Sequence, residues 1–220
     1  MIVVTGATAE YRDLVLAQAK VCYALKIPHV TYDLAGLGFG IPRTTDPGEF
    51  PLIDGMLMAW FKPELVTGML QLNRAHADIV CWLDADCIPT NLFERPPGDD
   101  WDAAVTLRRD DEMGVGMEST NWLNAGVVFV RANEPGRVFA AAWRAACGGN
   151  VGEQEALCRT VGSGWKRPEW AAARGLTVAT RCGAMVKVLS CPEWNCWEFP
   201  PPAGVRVMHY KRGLRSQFHV

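Results

Sequence analysis

The chain has 220 residues, of which 49% are hydrophobic and 21% charged, and its formal net charge is −2. This balance excludes a chain that is disordered throughout, because disorder requires fewer apolar residues and a larger net charge. It also excludes a global basic field that draws the protein to nucleic acid or anionic lipid, although a local basic cluster could still do so. The length suits one α/β domain with a continuous core.

The amino-terminal sequence MIVVTGATAEYRD contains neither a basic leader nor an apolar signal segment. No run approaches the ~20 apolar residues of a membrane span, so we expect a cytoplasmic protein. The eight cysteines include no C-x-x-C pair, and we expect most of them to be reduced core residues. A structural zinc site near His209 is the less favoured alternative, with Cys182, Cys191 and Cys196 as its ligands.

Apolar periodicity predicts strands and helices that alternate along the chain. The predicted strands are residues 1–5, 29–34, 78–83, 102–107, 125–130, 176–179, 185–189 and 205–208. The predicted helices are residues 13–27, 63–74, 134–147 and 152–161, and residues 35–51 are expected to form a loop rich in Gly, Pro and Thr. This alternation predicts an α/β fold with a mostly parallel central sheet covered by helices on both faces.

Two aspartates, Asp84 and Asp86, directly follow residues 78–83, the most hydrophobic of the predicted strands. Ligands of open α/β sheets bind beyond the carboxyl ends of the strands. Two neighbouring carboxylates repel each other unless a cation offsets their charge, and such oxygen ligands suit Mn²⁺ or Mg²⁺. We therefore predict a divalent metal site that also holds phosphate oxygens. The alternative is a solvated turn in which an aspartate caps the next helix.

Five short motifs accompany this pair in chain order. They are VTGATAEY at residues 4–11, WLDADCI at 82–88, LNAGVVFVR at 123–131, EQEAL at 153–157 and VMHYKRG at 207–213. In this order they resemble the motifs of the GT-A glycosyltransferases, and within them those of the glycogenin-like, sugar-retaining group. The resemblance covers most of the chain and implies one Rossmann-like GT-A domain. In that domain residues 1–110 would bind nucleotide and metal, and residues 111–220 would bind sugar and acceptor.

The resemblance also implies a nucleoside site at the first motif. The backbone of Thr5, Gly6 and Ala7 would cradle the nucleoside, since a glycine lets the backbone approach a ligand closely. The Tyr11 ring would lie against the base, although packing on the sheet is an equal alternative. Lys62, at an expected helix start, would either reach the diphosphate or remain solvated.

The third and fourth motifs are implied to surround the donor sugar. Asn124 could bond sugar hydroxyls, Ala125 belongs to the same segment, and Gly126 would leave room for the ring. Glu153, where the family usually has Asp, and Gln154 begin a helix and would contact the same sugar. Without any ligand, Glu153 would still complement the helix dipole.

The last motif implies that His209 completes the metal shell of the two aspartates, with a core histidine as the competing explanation. The basic residues that follow it would bind the phosphates. Because the family order differs here, the phosphate partner could be Lys211, Arg212 or Arg215.

Together these features predict a metal-dependent glycosyltransferase of the hexosyltransferase type. It would move a sugar from a nucleoside diphosphate, with a UDP-sugar favoured, to the hydroxyl of a glycan, protein, small molecule or modified nucleobase. Retention rests on the resemblance alone; an inverting enzyme would need a base, for which Glu193 and Asp111 are candidates. The expected catalytic residues are Asp84, Asp86, Glu153 and Gln154.

Tryptophans in the carboxyl-terminal third suggest an acceptor site, although a satellite core explains them equally well. They are Trp165, Trp170, Trp194 and Trp197. Three other functions remain open. A phage-type DNA-base glycosyltransferase would show salt-sensitive DNA binding. A nucleotidyltransferase that forms sugar nucleotides would release pyrophosphate, and a non-catalytic sugar-nucleotide-binding module would show no turnover.

Overall fold

The computed structural model describes residues 1–34, 52–72, 77–109, 122–148, 151–165 and 167–210. The strands are β1 Ile2–Ala7, β2 His29–Asp33, β3 Ile79–Leu83, β4 Cys87–Pro89, β5 Ala103–Leu107, β6 Leu123–Arg131, β7 Thr177–Ala179, β8 Met185–Ser190 and β9 Val207–His209. The helices are α1 Arg12–Ala24, α2 Leu52–Leu72, α3 Glu134–Ala146, α4 Glu153–Gly162, α5 Arg167–Ala173 and α6 Cys191–Trp194. A short 3-10 helix, Ala9–Tyr11, precedes α1.

The centre of the fold is a seven-stranded sheet with the strand order β2-β1-β3-β6-β5-β8-β7. Strand β1 is parallel to β2 and β3, and β5 is parallel to β8. Strand β6 runs antiparallel to both β3 and β5, and β7 runs antiparallel to β8. Five of the seven strands therefore point the same way, which confirms the predicted mostly parallel sheet. Strands β4 and β9 form a separate antiparallel pair.

Helices cover both faces of this sheet, as predicted. Strand β3 shows why, because its residues alternate between two cores: Val80 and Trp82 face one, and Cys81 and Leu83 face the other. Helices α2 to α5 pack into the first core, and α1 and α6 pack into the second. A strand that is buried on both faces appears in sequence as one continuous apolar run, as residues 79–83 do.

Helix α2 differs from the prediction, which placed a helix start near Pro63. The helix begins at Leu52 and contains Pro63 in its interior. An interior proline removes a helical hydrogen bond, but here Phe61, Val66 and Leu70 are buried against the sheet. Tertiary packing of this kind supplies most of the stability of a helix in a protein and offsets the local cost.

The carboxyl edge of the sheet collects polar residues from several strands. Val4 of β1 lies beside Trp82 of β3, so Gly6 and Asp84 follow two residues later along neighbouring strands. Because β6 runs the opposite way, its first residues lie at this same edge. The edge therefore holds the ends of β1, β3, β5 and β8 and the start of β6. Within the described part of the chain, no helix has both the length and the apolarity that crossing a bilayer requires.

Gly6 lies where the packing leaves no room for a side chain. A Cβ atom there would lie 2.9 Å from Leu34 Cδ2, 3.1 Å from Phe61 Cε2 and 3.2 Å from Trp82 Cη2. We therefore expect Gly6→Ala to lower the free energy of unfolding by about 1–3 kcal/mol in urea denaturation. Gly68→Ala is the control, because a Cβ there meets no atom within 4 Å. It should raise stability by about 0.5–1 kcal/mol, and equal effects of the two changes would contradict the packing argument.

Candidate active site at the carboxyl edge of the sheet

Residues 84–87, which we call the aspartate turn, connect β3 to β4. The backbone holds this turn at its first residue, because the Asp84 N–H donates to the Gly126 carbonyl oxygen at 2.8 Å. The turn is closed by the Cys87 N–H, which donates back to the Asp84 carbonyl oxygen at 2.8 Å. The two aspartate side chains are therefore held in place by backbone hydrogen bonds on a short, closed loop.

The carboxylate of Asp84 forms an ion cluster with Lys62 and Glu153. Lys62 Nζ lies 2.8 Å from Asp84 Oδ1, 3.0 Å from its Oδ2 and 3.3 Å from Glu153 Oε1. Trp82 Nε1 donates a further hydrogen bond to Asp84 Oδ1 at 2.8 Å. Residues from α2, β3 and α4 thus meet in one group, which we call the lysine cluster.

The lysine cluster corrects two expectations for Lys62, its place at a helix start and its exposure to solvent. The residue lies inside α2 rather than at a helix start, and it is 8% exposed rather than solvated. Burial disfavours its charged form, but the attraction of Asp84 and then of Glu153 outweighs burial and raises the pKa of Lys62 above its ordinary value. The ammonium group therefore keeps its proton and balances one of the two carboxylates it touches.

The second aspartate belongs to a different group. The ligand atoms of Asp86, Cys87 and His209 all lie within 4.8 Å of one another, and all three residues are buried. His209 Nε2 is 3.4 Å from Asp86 Oδ1. Antiparallel pairing of β4 with β9 brings this about, because it places His209 directly opposite Cys87. The structure thus forms one group that could hold a metal ion.

The chemistry of this group fits a divalent cation bound through oxygen and nitrogen. His209 Nδ1 is buried and has no hydrogen-bond partner among the described residues. A buried polar atom without a partner is costly, and a ligand would relieve that cost. Burial, and then the charges of Asp84 and Asp86, raise the pKa of the Cys87 thiol well above its ordinary value. Without a metal ion the thiol therefore keeps its proton, and the carboxylate and the imidazole supply the oxygen and nitrogen ligand atoms of the group.

The expected repulsion between the two aspartates is relieved differently from the prediction. Lys62 already faces the charge of Asp84, and only Asp86 lies in the group with His209. Asp84 as a further metal ligand stays a prediction.

Gly126 lies against polar groups beside the lysine cluster, where a side chain would not fit. A Cβ there would lie 2.9 Å from Asn124 Oδ1, 3.3 Å from Asp84 Oδ2 and 3.4 Å from Asn195 Nδ2. The Gly126 N–H donates to Asn124 Oδ1 at 2.7 Å, at the level of a bulge in the β5–β6 pairing. Ala125 differs from its neighbours, because its side chain packs in the core and leaves only its backbone for a ligand.

Asn195 is a residue that sequence reasoning missed. It is fully buried, and its Nδ2 has no hydrogen-bond partner among the described residues. Its Oδ1 accepts from the Cys87 thiol at 3.6 Å. Nothing in the Trp- and Cys-rich segment around it distinguishes this asparagine, since only the path of the chain brings it to Gly126.

Helix α4 presents Glu153 and Gln154 at its start. Arg108 donates to Gln154 Oε1, and Trp143 Nε1 donates to the Glu153 carbonyl oxygen at 2.9 Å. Arg108 was also missed, although it directly follows β5 at the carboxyl edge. Arg108 meets the criterion that selected Asp84, a position just beyond the carboxyl end of a strand.

The predicted nucleoside segment lies at the same edge, at the end of β1. Thr5 is fully buried, and its Oγ1 has no partner among the described residues. Gly6 packs against Trp82, Ala7 accepts a hydrogen bond from the Leu34 N–H at 3.0 Å, and Tyr11 is half-buried. The role of this segment in nucleoside binding stays a prediction.

The remaining candidates are the possible phosphate-binding residues, the possible bases and the tryptophans. Lys211, Arg212, Arg215 and Asp111 lie outside the described residues. Glu193, which lies on α6, accepts a hydrogen bond from Arg206 Nε at 2.7 Å. Trp170 and Trp194 are buried, as a satellite core requires, whereas Trp197 is 39% exposed.

The alternative zinc site has no counterpart in the described part of the chain. The one group of possible metal ligands found there does not include Cys182, Cys191 or Cys196. Cys191 Sγ instead donates to the Asn195 carbonyl oxygen at 3.5 Å.

Lys62→Met tests the lysine cluster, because it leaves two largely buried carboxylates without their cation. We expect the free energy of unfolding to fall by about 3 kcal/mol in urea denaturation at pH 7. Since the pKa of Lys62 is raised on folding, its contribution is full below the unfolded value of about 10.4 and is lost as the pH rises through the folded value.

Glu64→Gln is the matched control for that change, because it removes an exposed ion pair between the same helix and Arg144. It should alter stability by less than about 1 kcal/mol. A loss in Lys62→Met no larger than in Glu64→Gln would show that the cluster does not hold the three elements together.

Known structures share this fold. No family model matches the sequence, and no curated protein is similar to it. A glycosyltransferase involved in the glycosylation of the major capsid of PBCV-1 has a TM-score of 0.62 and 11% identity, covering 99% of this chain and 97% of that chain. The galactosyltransferase LgtC, in complex with donor and acceptor sugar analogs, has a TM-score of 0.39 and 13% identity, covering 96% and 87%. The glycosyltransferase GlyE of Streptococcus pneumoniae has a TM-score of 0.39 and 18% identity, covering 71% and 42%. The similarity to the first shows that the two chains share a fold.

Proposed function

We propose that this chain is a metal-dependent glycosyltransferase that moves a sugar from a nucleoside diphosphate to a hydroxyl acceptor. The observation that carries the proposal is the buried pair formed by Asp86 on the aspartate turn and His209 on β9, with His209 Nδ1 lacking a partner among the described residues. The pair lies where α/β sheets bind ligands, at the carboxyl ends of the strands. The fold shared with a known glycosyltransferase supports the same reading.

Asp86 and His209 would hold the cation. Mg²⁺ favours shells of oxygen alone, so an imidazole ligand favours Mn²⁺. When bound, such a cation offsets the charge that develops on a departing diphosphate. Asp84 could contribute as well, because each carboxylate oxygen has two lone pairs and those of Asp84 are only partly used by Lys62 and Trp82.

The lysine cluster and the polar groups beside Gly126 would bind the donor sugar. Lys62 offers hydrogen-bond donors, and Asp84 and Glu153 offer acceptors within a few ångströms, a pattern that suits neighbouring sugar hydroxyls. Asn195 Nδ2 adds a buried donor beside Gly126. Gln154, held by Arg108, lies next to Glu153 and would face the same sugar.

The chemical step would break the bond between the anomeric carbon and the diphosphate oxygen and form a bond from that carbon to the acceptor oxygen. In the retaining course, which we favour from the family resemblance, the acceptor proton passes to the leaving diphosphate. Thr5, Gly6, Ala7 and Tyr11 would hold the nucleoside, with uridine favoured. Lys211 and Arg212 would meet the phosphates, and the cytosol remains the expected compartment.

Nucleotide binding should depend on the metal. In a thermal-shift assay, UDP at about 100 times its dissociation constant should add roughly 2.7 kcal/mol of stability in the presence of Mn²⁺. We expect this stabilisation to disappear with chelator and in Asp86→Ala, and to persist in the surface control Asp99→Ala. Equal stabilisation with and without the metal would contradict a metal-dependent site.

Substitution of His209 tests whether this residue is a metal ligand or a core histidine. If it is a ligand, His209→Phe should raise the dissociation constant of Mn²⁺ by about 10-fold or more, measured by the loss of the free-ion EPR signal. An unchanged constant in a folded variant would assign His209 to the core.

Release of UDP from UDP-sugars, followed by chromatography, then separates an enzyme from a binding module. Release of pyrophosphate from UTP and a sugar phosphate would indicate the nucleotidyltransferase instead. Transfer to DNA would indicate the base-modifying transferase.

A further inference from the structure

Gln18 of α1 is a buried polar side chain that none of the preceding roles uses. It is 0% exposed, and both ends of its amide have partners. Nε2 donates to the Asp84 carbonyl oxygen at 3.0 Å and to the Cys87 carbonyl oxygen at 2.6 Å. Oε1 lies 2.7 Å from His29 Nε2 at the start of β2. All hydrogen-bonding capacity of this amide nitrogen is therefore directed at one short piece of backbone.

That piece of backbone is the aspartate turn. Asp84 and Cys87 are its first and last residues, so one amide group bridges both ends of the loop that carries Asp86. The Asp86 carbonyl oxygen is held separately by the Tyr210 N–H at 2.8 Å, one residue beyond His209. The turn is thus fixed on one side by the β9 segment and on the other side by Gln18.

His29 supports the orientation of the Gln18 amide. Two carbonyl oxygens accept from Nε2, so Oε1 must face His29, and the imidazole must carry its proton on Nε2 to donate to it. Helix α1 directly follows the predicted nucleoside segment, so Gln18 also connects that segment to the aspartate turn.

We propose that Gln18 is a positioning residue that keeps the aspartate turn in the conformation in which Asp86 faces His209, and that His29 orients it. The inference rests on the proposed metal site, since it concerns the affinity of that site. Residues that orient metal ligands typically change metal affinity by 10–100-fold when they are replaced.

Two substitutions of Gln18 test the inference on the full chain. Gln18→Met removes the donor and the acceptor at similar size, whereas Gln18→Glu keeps an acceptor for His29 and removes both donors to the turn. Each should raise the Mn²⁺ dissociation constant by about 10-fold, measured by EPR at a temperature at which circular dichroism shows the variant to be folded. A purely structural role would lower the melting temperature and leave this constant unchanged.

Thr180→Val is the matched control. It removes another buried bond from a side chain to the backbone, that of Thr180 Oγ1 to the Ala184 carbonyl oxygen, in the turn between β7 and β8. Its Mn²⁺ affinity should equal that of the wild type.

His29→Phe provides a second test of the inference, which can be carried out even if the Gln18 variants do not fold. It should raise the Mn²⁺ dissociation constant in the wild-type background and add nothing in Gln18→Met, because His29 acts only through Gln18. An unchanged constant in folded Gln18→Met or in His29→Phe would overturn the inference while the metal site stands. A wild-type protein that binds no Mn²⁺ would overturn both the metal site and the role of Gln18.

Discussion

A single buried ammonium group joins the parts of this fold that come together at the carboxyl edge of the sheet. Lys62 on α2 reaches Asp84 at the end of β3 and Glu153 at the start of α4. Each of these charges would be expensive to bury alone, and each is tolerated because the others are present. The position of α2 and α4 over the sheet and the electrostatics of the site are therefore two aspects of one interaction.

This interaction gives the two aspartates of the turn different surroundings. Asp84 lies against the lysine and the indole of Trp82, whereas Asp86 lies against the imidazole of His209. Neighbouring residues in a tight turn diverge in direction, so a separation of one residue is enough to place them in separate groups. In the proposed function, Asp86 would hold the cation, and Asp84 would offer acceptors to the donor sugar.

The backbone around the site is held as firmly as the side chains. The Asp84 N–H donates to the Gly126 carbonyl oxygen, and Tyr210 and Gln18 donate to carbonyl oxygens of the aspartate turn, so three parts of the chain hold it. Trp82 serves both the core and the site, because its ring edge packs against Gly6 while its Nε1 binds Asp84. A site built this way is preorganised, and preorganised groups stabilise a charge that develops during a reaction without having to reorganise.

Local patterns in the amino-acid sequence were enough to predict the class of the fold and the place of the acidic pair. Runs such as residues 79–83 are apolar over their whole length because both faces are covered, and Asp84 ends that run at the edge where ligands bind. These signals are local and need only a few neighbouring residues. The sequence pattern did not predict that α2 starts at Leu52, because tertiary packing outweighs the local helix-breaking effect of Pro63.

The side chains that meet at the site come from distant segments, and the way the chain folds brings them together. Lys62 and Asp84 are 22 residues apart, and Gln18 and Asp84 are 66 apart, so no local pattern relates them. The meeting of Cys87 with His209 depends on the pairing of β4 with β9, and that of Asn195 with Gly126 on the path of a loop. Propensity acts over one or two turns of chain, whereas charge neutralisation and hydrogen bonding in a core depend on how distant segments are brought together.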